Sequence, residues 1–202
     1  MDGAALYDMH RMEYLKTFPM EDDDARRMTE LLDRSGLCYL TNSIEEDLLL
    51  VHCGRMGNGA MRELFESKRS TPYRNFLSRR KQGFQNLVYF MVLDDREKVE
   101  ALYEEIQRME GGGAYRAAYD DAKQYEGARC LKIYAAKASR KRMLRELAAR
   151  IGVHKIVTFG SRAGQYDVVI ENADKDTCVK ELKRRFEPVD FRYWRNVLRF
   201  QS

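Results

Sequence analysis

The stretch that decides the fold is residues 129–188, RCLKIYAAKASRKRMLRELAARIGVHKIVTFGSRAGQYDVVIENADKDTCVKELKRRFEP. Its first seven residues, RCLKIYA, read as a strand. Residues 138–152 read as a helix that gathers Met143, Leu144, Leu147, Ala148 and Ile151 on one face. KIVTFG, residues 155–160, is a short apolar, β-branched run ending in glycine, the pattern of a strand covered on both faces. A further strand follows in QYDVVIENAD. A last helix over 177–186 ends ahead of Pro188. The segment therefore reads as βαββα, a layered α/β arrangement. Chemistry in such folds collects where strands end, which singles out the loop 160–166.

Upstream, the pattern changes. Residues 4–8 and 12–18 read as short strands around a turn, and Pro19 breaks the chain. Residues 22–35 form an amphipathic helix with Met28, Leu31, Leu32 and Ser35 inward. Its first turn is acidic, as the helix dipole favours, and Gly36 suits its C-cap. Residues 37–41 and 47–53 read as strands joined by a polar turn, and residues 58–68 as a helix. Residues 69–82 are basic and turn-rich. LVYFMVL, residues 87–93, is the most apolar run in the chain and reads as the central strand. Asp94, with Glu97 three residues on, predicts a capping box for a helix that turns Val99, Leu102, Ile106 and Met109 inward. Residues 114–119 read as a strand. The pattern predicts an α+β domain over 1–128 and an α/β domain over 129–202.

Composition narrows the function classes. Of 202 residues, 44% are apolar and 34% charged, as in ordinary globular chains. No apolar run approaches the roughly 18 residues of a membrane span. The first residues lack a signal-peptide pattern, so a cytoplasmic location is expected. Cys38, Cys53, Cys130 and Cys178 form no C-x-x-C pair and read as small buried hydrophobes. His52 and Cys53, adjacent in a strand, point to opposite faces and make no ligand pair. The net charge of +4 does not by itself mark a nucleic-acid binder.

The order of these pieces resembles the haloacid dehalogenase (HAD) superfamily, specifically a Cof-type phosphatase with a C2 α/β cap. DGAALYD (2–8) resembles the strand that leads into such a cap. NGAMRELFESKR (58–69) resembles the cap's middle helix, and LVYFMVLDDREKVEALYEEI (87–106) its strand and following helix. LKIYAAKASRKRMLREL (131–147) resembles the return to the core, and VHKIVTFGS (153–161) the strand before the acidic metal loop. The resemblance implies an α/β fold: an α+β C2-type cap followed by part of a HAD-like Rossmannoid core. It also implies phosphoryl transfer through an aspartate nucleophile and Mg²⁺.

Several of the family's key residues are replaced. No D-x-D-G-T turn occurs in these residues, and the strand that should carry it would lie upstream of Asp2. The third motif's lysine falls at Arg140, with Lys141 beside it. The loop expected as G-D-x-x-N-D reads GSRAGQYD, with Ser161 at the first aspartate position and Gln165 near the second. Asp167 is the only nearby carboxylate. Mg²⁺ takes oxygen ligands, usually including one or two protein carboxylates, and Arg162 would repel it. The expectation is therefore no catalytic residue, no metal site and no cofactor, with Mg²⁺ only if a missing N-terminal segment completes the chain.

Arg140, Lys141 and Arg142 stand in the first turn of a helix, where each cation opposes the dipole by about 0.3–1 kcal/mol. A bound phosphate or acidic group would relieve this, as would side chains reaching into water. Ser139, Arg140, Lys141 and Ser161 are the phosphate-binding candidates. The reading is a degenerate or truncated HAD-like relative, without phosphatase activity on its own, that acts as a binding or regulatory module. Its expected partners are a second copy or a complementing polypeptide over the incomplete sheet, and a small phosphorylated ligand. One alternative is an active phosphatase on small phosphorylated metabolites once the chain is completed. The other is a weak nucleic-acid binder built on the basic stretches 78–81, 140–142, 183–185 and the aromatic tail 191–195. Acidic residues interleave with those charges, which ranks nucleic acid last.

Overall fold

The computed structural model describes residues 2–71, 74–109, 112–120, 125, 127–160, 164, 166–170 and 175–186. The chain divides into two compact units, Met1–Ile151 and Gly152–Ser202.

The first unit opens with an antiparallel hairpin of β1 (Ala5–Asp8) and β2 (Glu13–Thr17). Helix α1 (Asp22–Ser35) follows, and ends as expected at Gly36, which adopts the left-handed conformation (φ 70°). Strands β3 (Tyr39–Glu45) and β4 (Leu48–Cys53) form a hairpin. Helix α2 (Gly59–Lys68) is capped by Asn58, whose side chain accepts the Met61 N–H at 2.7 Å. The remaining elements are β5 (Asn75–Leu77), β6 (Leu87–Asp95), α3 (Arg96–Arg108), β7 (Tyr115–Asp120), β8 (Ala128–Ala135) and α4 (Arg140–Ile151).

Six strands make one sheet in the order β5-β4-β3-β6-β8-β7, antiparallel except for the β4–β5 pair. Strand β6 lies inside this order, flanked by β3 and β8. Its residues feed two cores. Phe90 and Val92 join Met28, Leu32, Val99 and Ile106 under α1 and α3. Val88, Tyr89 and Leu93 join Leu40, Val51, Met61, Leu64 and Tyr134 on the opposite face. A strand covered on both faces has no solvent side, so its sequence carries no polar alternation. Cys53 lies in the second of these cores, while His52, across the ladder from Thr41, lies on the α1 side. Cys38, Cys53 and Cys130 are buried; the side chain of Cys178 lies outside the described residues.

Four sequence expectations change. The strand at 129–135 belongs to this sheet and not to the following unit. It pairs with β6 from Tyr89–Tyr134 to Asp95–Ala128, and with β7 on its other side. The break between compact units falls after Ile151, not at 128/129. The basic turn-rich segment contains the edge strand β5, whose Phe76 packs edge-on against Phe65. Asp94 ends within β6, where its buried carboxylate accepts the Cys38 N–H at 3.1 Å and the Asp95 N–H at 2.9 Å. The α3 N-cap is Asp95, which makes no side-chain cap bond.

The second unit contains β9 (Phe159–Gly160), β10 (Val168–Val169) and α5 (Lys175–Phe186). The two strands are parallel. The run 155–160 is not the doubly covered strand expected, because only its last two residues are strand and Val157 is exposed. Among the described residues its ladder is two residues long, to one neighbour, which leaves such a run little to pack against. No helix among the described residues is long and apolar enough to cross a membrane.

Candidate functional site

Two places were singled out by the sequence: the start of α4 and the loop after β9. At the first, Gly3 (φ 87°) lies directly against the backbone of Ser139 and Arg140. A Cβ on it would stand 2.3 Å from the Ser139 carbonyl carbon. This approach brings Asp2 to the helix start. The Asp2 carboxylate accepts the Tyr134 hydroxyl at 3.0 Å and pairs with Arg140 at 3.8 Å. Burial pushes the Asp2 carboxyl up. The Tyr134 hydrogen bond and the Lys132 and Arg116 charges outweigh this and hold it below the usual aspartate range. Arg116 lies 4.4 Å over the Tyr134 ring and donates to the carbonyls of Ala138 (2.6 Å) and Asp2 (3.0 Å).

Two of the three cations of the first turn therefore find partners within the chain. Arg140 meets Asp2, and Arg142 lies 4.9 Å over the Phe18 ring. Lys141 is exposed. Ser139 Oγ accepts the Arg142 N–H at 3.2 Å and so serves as the N-cap. An intramolecular carboxylate thus lies beside Arg140 at this helix end.

This arrangement makes a measurable prediction. Tyr134→Phe is expected to cost about 1 kcal/mol at pH 7, the value of a hydrogen bond to a partly exposed carboxylate. A depressed aspartate contributes stability that is in place above its unfolded pKa of about 3.9 and is lost as pH falls through the folded value. The gap between wild type and Tyr134→Phe in urea midpoints should therefore narrow near pH 3.

At the second place, Ser161, Arg162 and Gln165 lie outside the described residues. Their neighbours are defined. Asp167 Oδ2 accepts both the N–H (2.8 Å) and the hydroxyl (2.7 Å) of Thr158, and the Asp167 N–H donates back to Thr158 Oγ1 at 3.1 Å. These bonds, with Lys155 nearby, hold the Asp167 carboxyl below the usual range. The Tyr166 ring lies against Gly160, where a Cβ would come within 2.2 Å of ring carbon. Beyond them the ladder continues, with Val168 N–H on Thr158 O and Ile170 N–H on Gly160 O.

No protein-family model matches the sequence, and no curated protein does. Solved structures do match. The chain superposes on the HAD subclass IIB sugar phosphatase BT4131 with a TM-score of 0.60 at 12% identity, over 91% of this chain and 73% of that one. The HAD phosphatase BT1666 from Bacteroides thetaiotaomicron gives 0.58 at 13%, over 91% and 71%. A haloacid dehalogenase-like hydrolase from the same organism gives 0.53 at 12%, over 75% and 53%. This chain has the fold of the haloacid dehalogenase-like hydrolases. It spans little more than half the length of two haloacid dehalogenase-like hydrolase structures, 53% and 57%.

The HAD resemblance implies Mg²⁺, and the donors here do not fit it. The described residues place no three His, Cys, Asp or Glu side chains together in a metal-binding group. The carboxylate nearest the loop, Asp167, is turned onto Thr158, and the loop itself contributes Ser161 and Arg162. A serine hydroxyl beside a guanidinium is a poor exchange for the carboxylate oxygens that Mg²⁺ prefers.

His52, weighed from the sequence only as half of a ligand pair with Cys53, has a different partner. His52 faces the α1 side of the sheet and lies 3.3 Å from Ser43 on the neighbouring strand. A histidine in the apolar run LLLVHC is a weak signal, and the partner becomes visible only with the β3–β4 register.

Proposed function

We propose that this chain is a HAD-fold protein that does not hydrolyse phosphoesters by itself and works as a binding or regulatory module. The observation that carries this reading is Asp167, whose carboxylate is held by Thr158 in a loop with no other described carboxylate. Phosphoryl transfer of the HAD type needs a carboxylate nucleophile and an acid-held metal. The sequence contains no D-x-D-G-T turn, and Ser161 stands at an aspartate position of the metal loop. In this reading the ligand is a small phosphorylated molecule, and the partner is a second copy or a complementing polypeptide.

The test is hydrolysis of a generic aryl phosphate by the purified chain, with and without Mg²⁺. The rate with protein and Mg²⁺ should equal the buffer rate within error. Turnover that requires Mg²⁺ and saturates with substrate would contradict the proposal.

A further inference from the structure

The first unit contains a cavity of about 150 Å³ on the α1 side of the sheet, at β3 and β4. Its wall includes Thr41, His52, Arg55, Arg80, Lys81 and Phe84. Two of the cations are committed to building it. Arg80 makes two bonds to Asp33, at 2.9 and 2.7 Å, and Gly54 leaves room for the Arg80 stem. Lys81, only 8% exposed in its side chain, pairs with Glu45.

Two groups on the wall are not committed. His52 is 6% exposed, and its Nδ1 is a buried side-chain atom with no hydrogen-bond partner. Arg55 is exposed, and among the described residues it has no hydrogen-bond or ion-pair partner.

The hydrogen-bond chain fixes what His52 can offer. The Ser43 hydroxyl has one proton, and it donates that proton to Glu45 Oε1 at 2.9 Å. Toward His52 Nε2 the Ser43 oxygen must therefore accept, so Nε2 carries the ring proton. Burial and the neighbouring Lys81 charge disfavour a second proton on the ring. Nδ1 is then a bare lone pair. A buried acceptor of this kind calls for a donor, and the exposed Arg55 guanidinium leaves a positive charge on the same wall available to an anion.

We propose that this cavity binds a small oxyanion that carries its own O–H donor, with the hydroxyl donating to His52 Nδ1 and the charge facing Arg55. The volume matches a molecule about the size of benzene. At neutral pH, monohydrogen phosphate and a small hydroxycarboxylate both meet the description. Sulfate and a plain carboxylate do not, because their oxygens present only lone pairs to the Nδ1 lone pair. Leaving a buried acceptor unpaired weakens binding by about tenfold or more. The inference does not depend on whether the chain hydrolyses phosphoesters.

The test is a titration of the full chain followed by ¹H–¹⁵N correlation of the histidine rings. His52→Gln assigns the signal among the three histidines. The probes are phosphate against sulfate, and D-glycerate against propionate. Phosphate or glycerate should move the His52 Nδ1 resonance saturably, with its donor-free counterpart binding about tenfold more weakly or less. A shift with phosphate alone identifies the inorganic source, and one with glycerate alone the organic acid. Arg55→Met, an exposed change that leaves the core intact, should weaken the effective probe several-fold. Three outcomes overturn the proposal: no saturable shift with either probe, equal shifts within a pair, or an Arg55→Met titration identical to wild type.

Discussion

Gly3→Ala is expected to remove about 3 kcal/mol of stability from the first unit, through two separable effects. Gly3 adopts φ 87°, a region that L side chains enter only with strain. Its missing Cβ also faces backbone, with the Ser139 carbonyl carbon and oxygen and the Arg140 nitrogen all at 2.3–2.4 Å from the position a methyl would take. Backbone at a helix start cannot rotate aside as a side chain can. Gly36→Ala is the control. Gly36 also has a positive φ, 70°, but nothing lies within 4 Å of its absent Cβ. It should cost about 1 kcal/mol from strain alone. Urea unfolding of both variants measures the difference. Equal losses would mean that the Gly3 approach to α4 does not exist in solution.

Phe90→Ala is the second large effect, with an expected loss of about 3–5 kcal/mol. Phe90 is fully buried in the middle of β6, opposite Thr41 on β3 and Ile133 on β8. It joins the core under α1 and α3. Two helices and two strands hold its surroundings, so the site has little freedom to collapse around the missing ring. A midpoint shift of under about 1 kcal/mol would place Phe90 outside the core.

The same residue shows why part of the fold was legible in the sequence. Residues 87–93 are apolar without alternation, the pattern of a strand covered on both faces. The periodicity of residues 22–35 and the glycine after them fixed α1 and its end equally well. Residues 155–160 carry a similar apolar signature and yet form only the two strand residues of β9. Composition records what a strand can bury, not how many neighbours it has. Strand β5 was hidden among basic residues because it lies at the edge of the sheet, where pairing on one side suffices. The boundary at 128/129 failed for a related reason. The apolar residues of β8 satisfy either sheet, and the choice is made by pairing with β6 and β7.

The candidate site was legible in its chemistry and not in its geometry. Ser161 at the first aspartate position of the HAD pattern and Gln165 near the second are readings of the sequence against that resemblance. The capture of Asp167 by Thr158, nine residues away, is not. Nor is the Asp2 carboxylate at the start of α4, because Asp2 and Arg140 meet only through the close approach of Gly3. Pairings of this kind depend on register and turn geometry, which single residues do not encode.

The central claim is that the tip of β9 holds no divalent ion. Paramagnetic Mn²⁺, which prefers the same oxygen donors as Mg²⁺, tests it most directly. Substoichiometric Mn²⁺ should leave the Gly160 and Gly164 amide signals of the full chain no broader than those of other exposed amides. Selective broadening of those two signals, reversed by added Mg²⁺, would contradict the account.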